Sequence, residues 1–221
     1  MKRIVQAVAA AAMLAMGNAN ALIVVESGLT NSPANAQNID SAFGFIPDQE
    51  IEINSSFDLG IPNATVFGFS GDGTFDYYSF TVGTGASPLQ VGQTVFFDTD
   101  YAQIVGLDTQ LTLFSTDGTT VLASNDNAPF DGPGDLVAMT TNSFLSYTFA
   151  SAGLYYIRVS QADHHTLYGI PLSTRGATYR LNVSTVPLPA AAWLFGSGLL
   201  AFFALSRKRK RNKPLLMQGQ A

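Results

Sequence analysis

The sequence predicts an all-β protein, built as two antiparallel sheets packed face to face. Three observations carry that reading. Between Leu22 and Pro189 no stretch sustains the 3.6-residue apolar period of an amphipathic helix. Short runs of alternating apolar and polar residues recur there instead, bounded by Gly, Asn, Asp and Pro. Hydrophobic residues make up 47% of the 221-residue chain and aromatics 11%, enough to fill one medium core.

The runs follow in order. Thr65–Phe69 is the first. Asp76–Val82 puts Tyr78, Phe80 and Val82 on one face, because side chains in a strand alternate with period two. Thr94–Thr99 follows, then Gln110–Phe114 with Leu111 and Leu113 together. Thr116-Asp117-Gly118 reads as a hairpin turn leading into Thr119–Ala123. Phe144–Phe149 aligns Leu145, Tyr147 and Phe149, and Leu154–Ser160 aligns Tyr155, Ile157 and Val159. Thr178–Val183 closes the series with Tyr179, Leu181 and Val183. About eight such strands fit a sandwich, and their apolar stripes read as packing rather than as a ligand box. The sandwich is expected over 63–184. Residues 22–62 are less regular, with edge strands expected around Phe43–Ile46 and Ile51–Ile53.

The two ends are of a different kind. Lys2 and Arg3 precede an apolar run from Ile4 to Met16, and Ala19-Asn20-Ala21 follows. This is the three-part form of a secretory signal, with the cut expected after Ala21, where Ala19 and Ala21 are the small residues a signal peptidase reads. Residues 1–21 are therefore expected to be removed. At the other end Ala190 to Leu205 carries no charge, and the stretch back to Val186 has the ~20-residue length of a bilayer span. Arg207, Lys208, Arg209, Lys210, Arg211 and Lys213 come directly after it. Basic residues beside a span stay cytoplasmic, so the chain before it is expected outside. Between Leu22 and Pro189 three arginines stand against all sixteen acidic residues, a net charge of −13 with no lysine. A surface of that sign repels phosphate backbones, which excludes a nucleic-acid partner. The absence of cysteine excludes disulfides and thiolate metal sites.

Val186-Pro187-Leu188-Pro189, the apolar stretch Ala190-Ala191-Ala192-Trp193-Leu194-Phe195-Gly196-Ser197-Gly198-Leu199-Leu200 and the basic cluster together resemble a PEP-CTERM sorting signal. That resemblance spans about 26 residues, the expected sorting segment being 185–211 and the remaining tail 212–221. It implies a Gram-negative bacterium that makes extracellular polysaccharide. It also implies export across the inner membrane, transient anchoring, and cleavage near the Pro motif by an exosortase, a membrane cysteine protease. The chain then passes to the cell surface or is secreted. Leu188 stands where the name-giving motif has Glu.

A second resemblance covers roughly Thr65 to Val183. Phe75-Asp76-Tyr77-Tyr78-Ser79-Phe80-Thr81-Val82, Leu111-Thr112-Leu113-Phe114, Ser124-Asn125-Asp126-Asn127 and Ala152-Gly153-Leu154-Tyr155-Tyr156-Ile157-Arg158-Val159 are similar to the bacterial pre-peptidase C-terminal domain. The resemblance implies a jelly-roll-like β-sandwich that is a non-catalytic accessory module, some members of which bind calcium or polymeric ligands.

Calcium is the candidate cofactor. Asp98 and Asp100 leave the same strand face, starting ~6.6 Å apart at two residues' rise, and one hard cation with oxygen ligands could bridge them if they converge. Asp108 follows after a short loop, and Asp126 lies in the oxygen-rich turn Asn125-Asp126-Asn127, with Asp131 and Asp135 beyond. The plainer reading is that Asp and Asn are turn residues. His164-His165 is adjacent and therefore splayed on a strand, and no third ligand is spaced to join a zinc site. No Gly-x-Ser-x-Gly elbow is present. Arg158 is expected on a solvated face or in a local ion pair. The expected function is therefore that of a non-enzymatic exported surface or matrix protein. The alternative is a calcium-assisted module that binds polysaccharide or protein, marked by clustering of Phe130, Tyr156 or Tyr168. A hydrolase is the remotest reading.

Overall fold

We describe a computed structural model of the chain over residues 23–44, 62–84, 87–100, 106–127, 141–163 and 165–185. The signal segment with Ala19 and Ala21, the run Ile51–Ile53, Phe130, Asp131, Asp135, His164 and the C-terminal segment with Val186, Pro187, Leu188 and Pro189 lie outside these residues.

The described residues form two sheets. The strands are β1 (Ile23–Val25), β2 (Gln37–Asn38), β3 (Asn63–Phe69), β4 (Asp76–Gly83), β5 (Leu89–Gln90), β6 (Thr94–Asp100), β7 (Thr109–Phe114), β8 (Val121–Asn125), β9 (Phe144–Thr148), β10 (Gly153–Gln161) and β11 (Thr178–Thr185). One sheet has the order β1-β3-β11-β6-β9. The other has β2-β4-β10-β7-β8, with β5 paired to β4 beyond β2. All the long pairings are antiparallel, as expected.

The short ones are not. β1 pairs with β3, β2 with β4 and β5 with β4, all in parallel. The antiparallel expectation is thus corrected at the margins. Each of these strands is two or three residues long, and each lies on the outer side of a long strand. Of the edge strand expected around Phe43–Ile46, Phe45 and Ile46 lie outside the described residues. Before it Asp40–Ala42 is a turn of 3-10 helix, and Gly44 makes an isolated bridge to Asn63. The hairpin after Gly118 enters its second strand at Val121, two residues later than expected. Asp117 takes up those two residues, its carboxylate accepting the backbone N–H of Thr119 at 2.9 Å and of Thr120 at 2.8 Å. Gly118 supplies the left-handed φ of 68° that the turn requires.

The core lies between the sheets and is the set that strict alternation picks out. Tyr78, Phe80 and Val82 of β4 face Val95 and Phe97 of β6 and Tyr179, Leu181 and Val183 of β11, all fully buried. Phe80 packs on Phe97 at 5.4 Å and on Phe149 at 5.8 Å between ring centroids, and Phe149 meets Tyr155 edge-on at 4.6 Å. Burying one such ring contributes ~1.5–3 kcal/mol, so this cluster outweighs any single polar contact in the domain. Among the described residues no helix is long and apolar enough to cross a membrane.

Candidate functional site

The four aspartates singled out for calcium are spread over both sheets. Asp98 and Asp100 do share the outer face of β6, opposite Asn182 and Arg180 of β11. Asp98 is buried and Asp100 half-buried. A hydrogen-bonded row runs across three strands there. The Thr65 hydroxyl donates to Asn182 Oδ1 at 2.9 Å, and Asn182 Nδ2 donates to Asp100 Oδ2 at 2.6 Å. Asp108 stands between β6 and β7, where its backbone carbonyl accepts the N–H of Ala162 at 2.8 Å. Asp126 follows β8 on the other sheet, beside an Asx turn in which Asn127 N–H donates to Asn125 Oδ1 at 2.8 Å. Among the described residues no three acidic or histidine side chains gather around one point. His165 lies in an exposed turn, its N–H bonded to Asp163 Oδ1 at 3.1 Å.

Two clusters stand out that the sequence reading did not single out. The first is a polar chain in the core. Gly68 of β3 opens the space that the Tyr179 ring fills, since a Cβ there would overlap the ring. The phenol of Tyr179 then crosses between the sheets. It lies 2.7 Å from the Tyr78 hydroxyl and donates to Asp76 Oδ2 at 2.5 Å. Asp76 is 1% exposed, and its Oδ1 has no hydrogen-bond partner. Burial drives its carboxyl up to about 8, aided by the negative charges of Glu26 and Asp72, against the lowering effect of the Tyr179 hydrogen bond. Glu26 is also raised, chiefly by burial. Tyr78 and Tyr179 are pushed well above the ordinary phenol range by the same cause. This cluster therefore holds a neutral carboxylic acid at the head of β4. Its signal was present in the sequence, because the alternation that turns Tyr78, Phe80 and Val82 inward also turns Asp76 inward.

The second cluster lies on the outer face of the six-stranded sheet. Arg158 is 8% exposed, which corrects the expectation of a solvated or ion-paired side chain. Its guanidinium sits over Phe75 at 4.4 Å, Phe114 at 5.3 Å and Tyr77 at 5.8 Å from the ring centroids. It donates to the backbone carbonyl of Tyr168, and more weakly to the hydroxyls of Tyr77 and Thr112 at 3.4 Å. Ring faces thus supply much of the negative potential that a carboxylate would otherwise provide. Ser160 and Gln110 secure the same loop, through the carbonyls of Tyr168 at 3.3 Å and Leu167 at 2.9 Å. This arrangement buries the arginine and leaves the loop's own side chains outward. Leu167 is 82% and Tyr168 43% exposed, with Leu154 at 40% and Tyr156 half-buried on the strand beneath.

Neither protein-family models nor curated proteins match this chain. A solved structure does. The chain is similar to the pre-peptidase C-terminal domain of a collagenase from Bacillus anthracis, at 19% identity and a TM-score of 0.33, over 55% of this chain and 88% of that one. The sandwich described above rests on its own strand pairings.

Proposed function

We propose that this chain is a non-enzymatic exported surface or matrix protein of a Gram-negative bacterium. Its β-sandwich crosses the inner membrane, is tethered by the C-terminal apolar segment, and is processed near Val186-Pro187-Leu188-Pro189 by an exosortase-like protease. One observation supports this most: the order of parts along the chain. A signal-like start precedes the acidic domain, and the Pro motif, an uncharged stretch and a basic cluster follow it. Both ends call for the same topology on separate grounds. The test is to fractionate the host with and without its sorting protease. The reading expects a shorter product at the surface or in the medium only when the protease is present. Full-length chain in the inner membrane under both conditions would leave only a plain anchor.

A second reading, a binding module for extracellular polysaccharide, is favoured by the apolar side chains Leu154, Tyr156, Leu167 and Tyr168 around the Arg158 cluster. Aromatic side chains bury large apolar faces on a ligand at ~1.5–3 kcal/mol for a fully covered ring, less for rings covered on one face. The double change Tyr156→Ala and Tyr168→Ala is then expected to weaken retention on host polysaccharide ~tenfold or more. Retention equal to the parent's, with or without added calcium, would remove this reading.

A further inference from the structure

The segment from Ile23 to Gly44 is a strap that touches both sheets. β1 lies along β3 of the five-stranded sheet, and β2 lies along β4 of the six-stranded sheet. Glu26 sits where the strap leaves the first sheet. Its N–H donates to Phe67 O at 2.9 Å, its Oε2 accepts the N–H of Phe69 at 2.9 Å, and its Oε1 accepts the Thr30 hydroxyl at 3.2 Å. Thr30 then meets the second sheet, its carbonyl accepting the N–H of Tyr77 at 2.8 Å. Asp76 stands at this crossing, held on one side by Tyr179, with the other oxygen unpartnered.

We infer that Glu26 and Asp76 form a proton-operated latch on the strap: one shared proton keeps β1 docked on β3, and its loss releases β1 and bares the β3 edge.

The chemistry follows from which groups surround the pair. Bearing on Asp76 are Glu26 from the strap, Asp72 from the loop before β4, and the phenols of Tyr179 and Tyr78. No cation acts on it among the described residues. A protonated Asp76 donates its O–H toward the Glu26 carboxylate while still accepting from Tyr179. When that proton passes to water, the buried Asp76 carboxylate faces that of Glu26, with the exposed Asp72 adding to the negative charge, and they repel. Asp76 is fixed by Tyr179 inside the core, whereas Glu26 is half-exposed and directly follows the three-residue parallel strand β1. Glu26 is therefore the group that moves. Its departure costs the bonds to Phe69 and Thr30, and a parallel ladder this short has little else to hold it.

The sign is that of a carboxyl whose folded pKa is raised. The docked form keeps its full advantage while Asp76 holds its proton, loses it as pH rises toward about 8, and changes no further above that. The released edge would present an unpaired row of N–H and C=O groups next to Phe67 and the exposed Phe69.

Amide hydrogen exchange on the full chain in mild detergent, with EDTA to remove divalent cations, tests this. Protection of the Glu26 and Phe69 amides, corrected for the intrinsic pH dependence of exchange, is expected to fall up to ~tenfold per pH unit between pH 6 and 8. The amides of Ile157 and Leu181, deep in the two sheets, are expected to stay constant. Asp76→Asn keeps a donor toward Glu26 and an acceptor for Tyr179, so its profile is expected to be flat. Glu26→Gln is expected to flatten the profile as well and serves if the first variant does not fold. Equal protection of Glu26 and Phe69 at pH 6 and pH 9 in the parent, or a parent-like slope in the variants, would overturn the latch.

Discussion

The Tyr179 hydroxyl bonds across the two sheets. It rises from β11 through the gap left by Gly68 and meets Tyr78 and Asp76 of the opposite sheet. Tyr179→Phe keeps the ring and its packing but leaves Asp76 Oδ2 and the Tyr78 hydroxyl without their partner. The expected loss is ~1–3 kcal/mol, because an unsatisfied buried group costs more than the net worth of a hydrogen bond. Denaturant unfolding at pH 6 measures it, and an unchanged midpoint would show that the chain of hydroxyls contributes nothing. Arg158 shows the opposite case at the same scale. Strand alternation correctly turns it away from the core, opposite the side of Ile157 and Val159. It is buried all the same, by Phe75 and Phe114 from distant parts of the chain and by the loop whose Tyr168 carbonyl it bonds. A rule of period two reads which face a side chain takes. It does not read what later folds over that face.

The same division holds among the elements. The long strands were legible because they carry two or three inward apolar residues in phase, as Tyr155, Ile157 and Val159 do in β10. β1, β2 and β5 were not, since two or three residues cannot display a period, and their pairing depends on the long strand they lie beside. Turn chemistry was legible at Thr116-Asp117-Gly118, though the side-chain cap moved the start of β8. Hydrogen bonds from the Thr120 side chain, then from the Thr120 and Thr119 N–H groups, hold the Asp117 carboxyl down at about 2. A lowered carboxylate supports its turn above the free value and loses that support as pH falls through the folded one. The β7–β8 hairpin is therefore expected to loosen between about pH 4 and pH 2, in the order set by Asp117. Carbon-detected NMR of this carboxyl gives the midpoint directly. A midpoint near 4 would mean that the cap does not form in solution.

At the scale of the whole molecule, charge is segregated: the acidic stretch carries −13 and the basic residues crowd the two ends. A charge of that sign favours solubility, while a basic cluster next to an uncharged stretch fits the cytoplasmic side of a membrane. The candidate calcium residues were legible only as residue types. Asp98 and Asp100 share a face as the strand period requires, but Asp126 belongs to the other sheet, and spacing along the chain says nothing about convergence across it. The Asp76 latch and the Arg158 cluster lie within the sandwich, whereas the proposed function is one of delivery. The most direct measurement is the intact mass and both termini of the protein recovered from its own cells. Export and processing are expected to yield a chain that begins at Leu22 and ends near the Val186-Pro187-Leu188-Pro189 motif, without the basic cluster. A chain that begins at Met1 and keeps Arg207 to Lys213 would contradict the proposal.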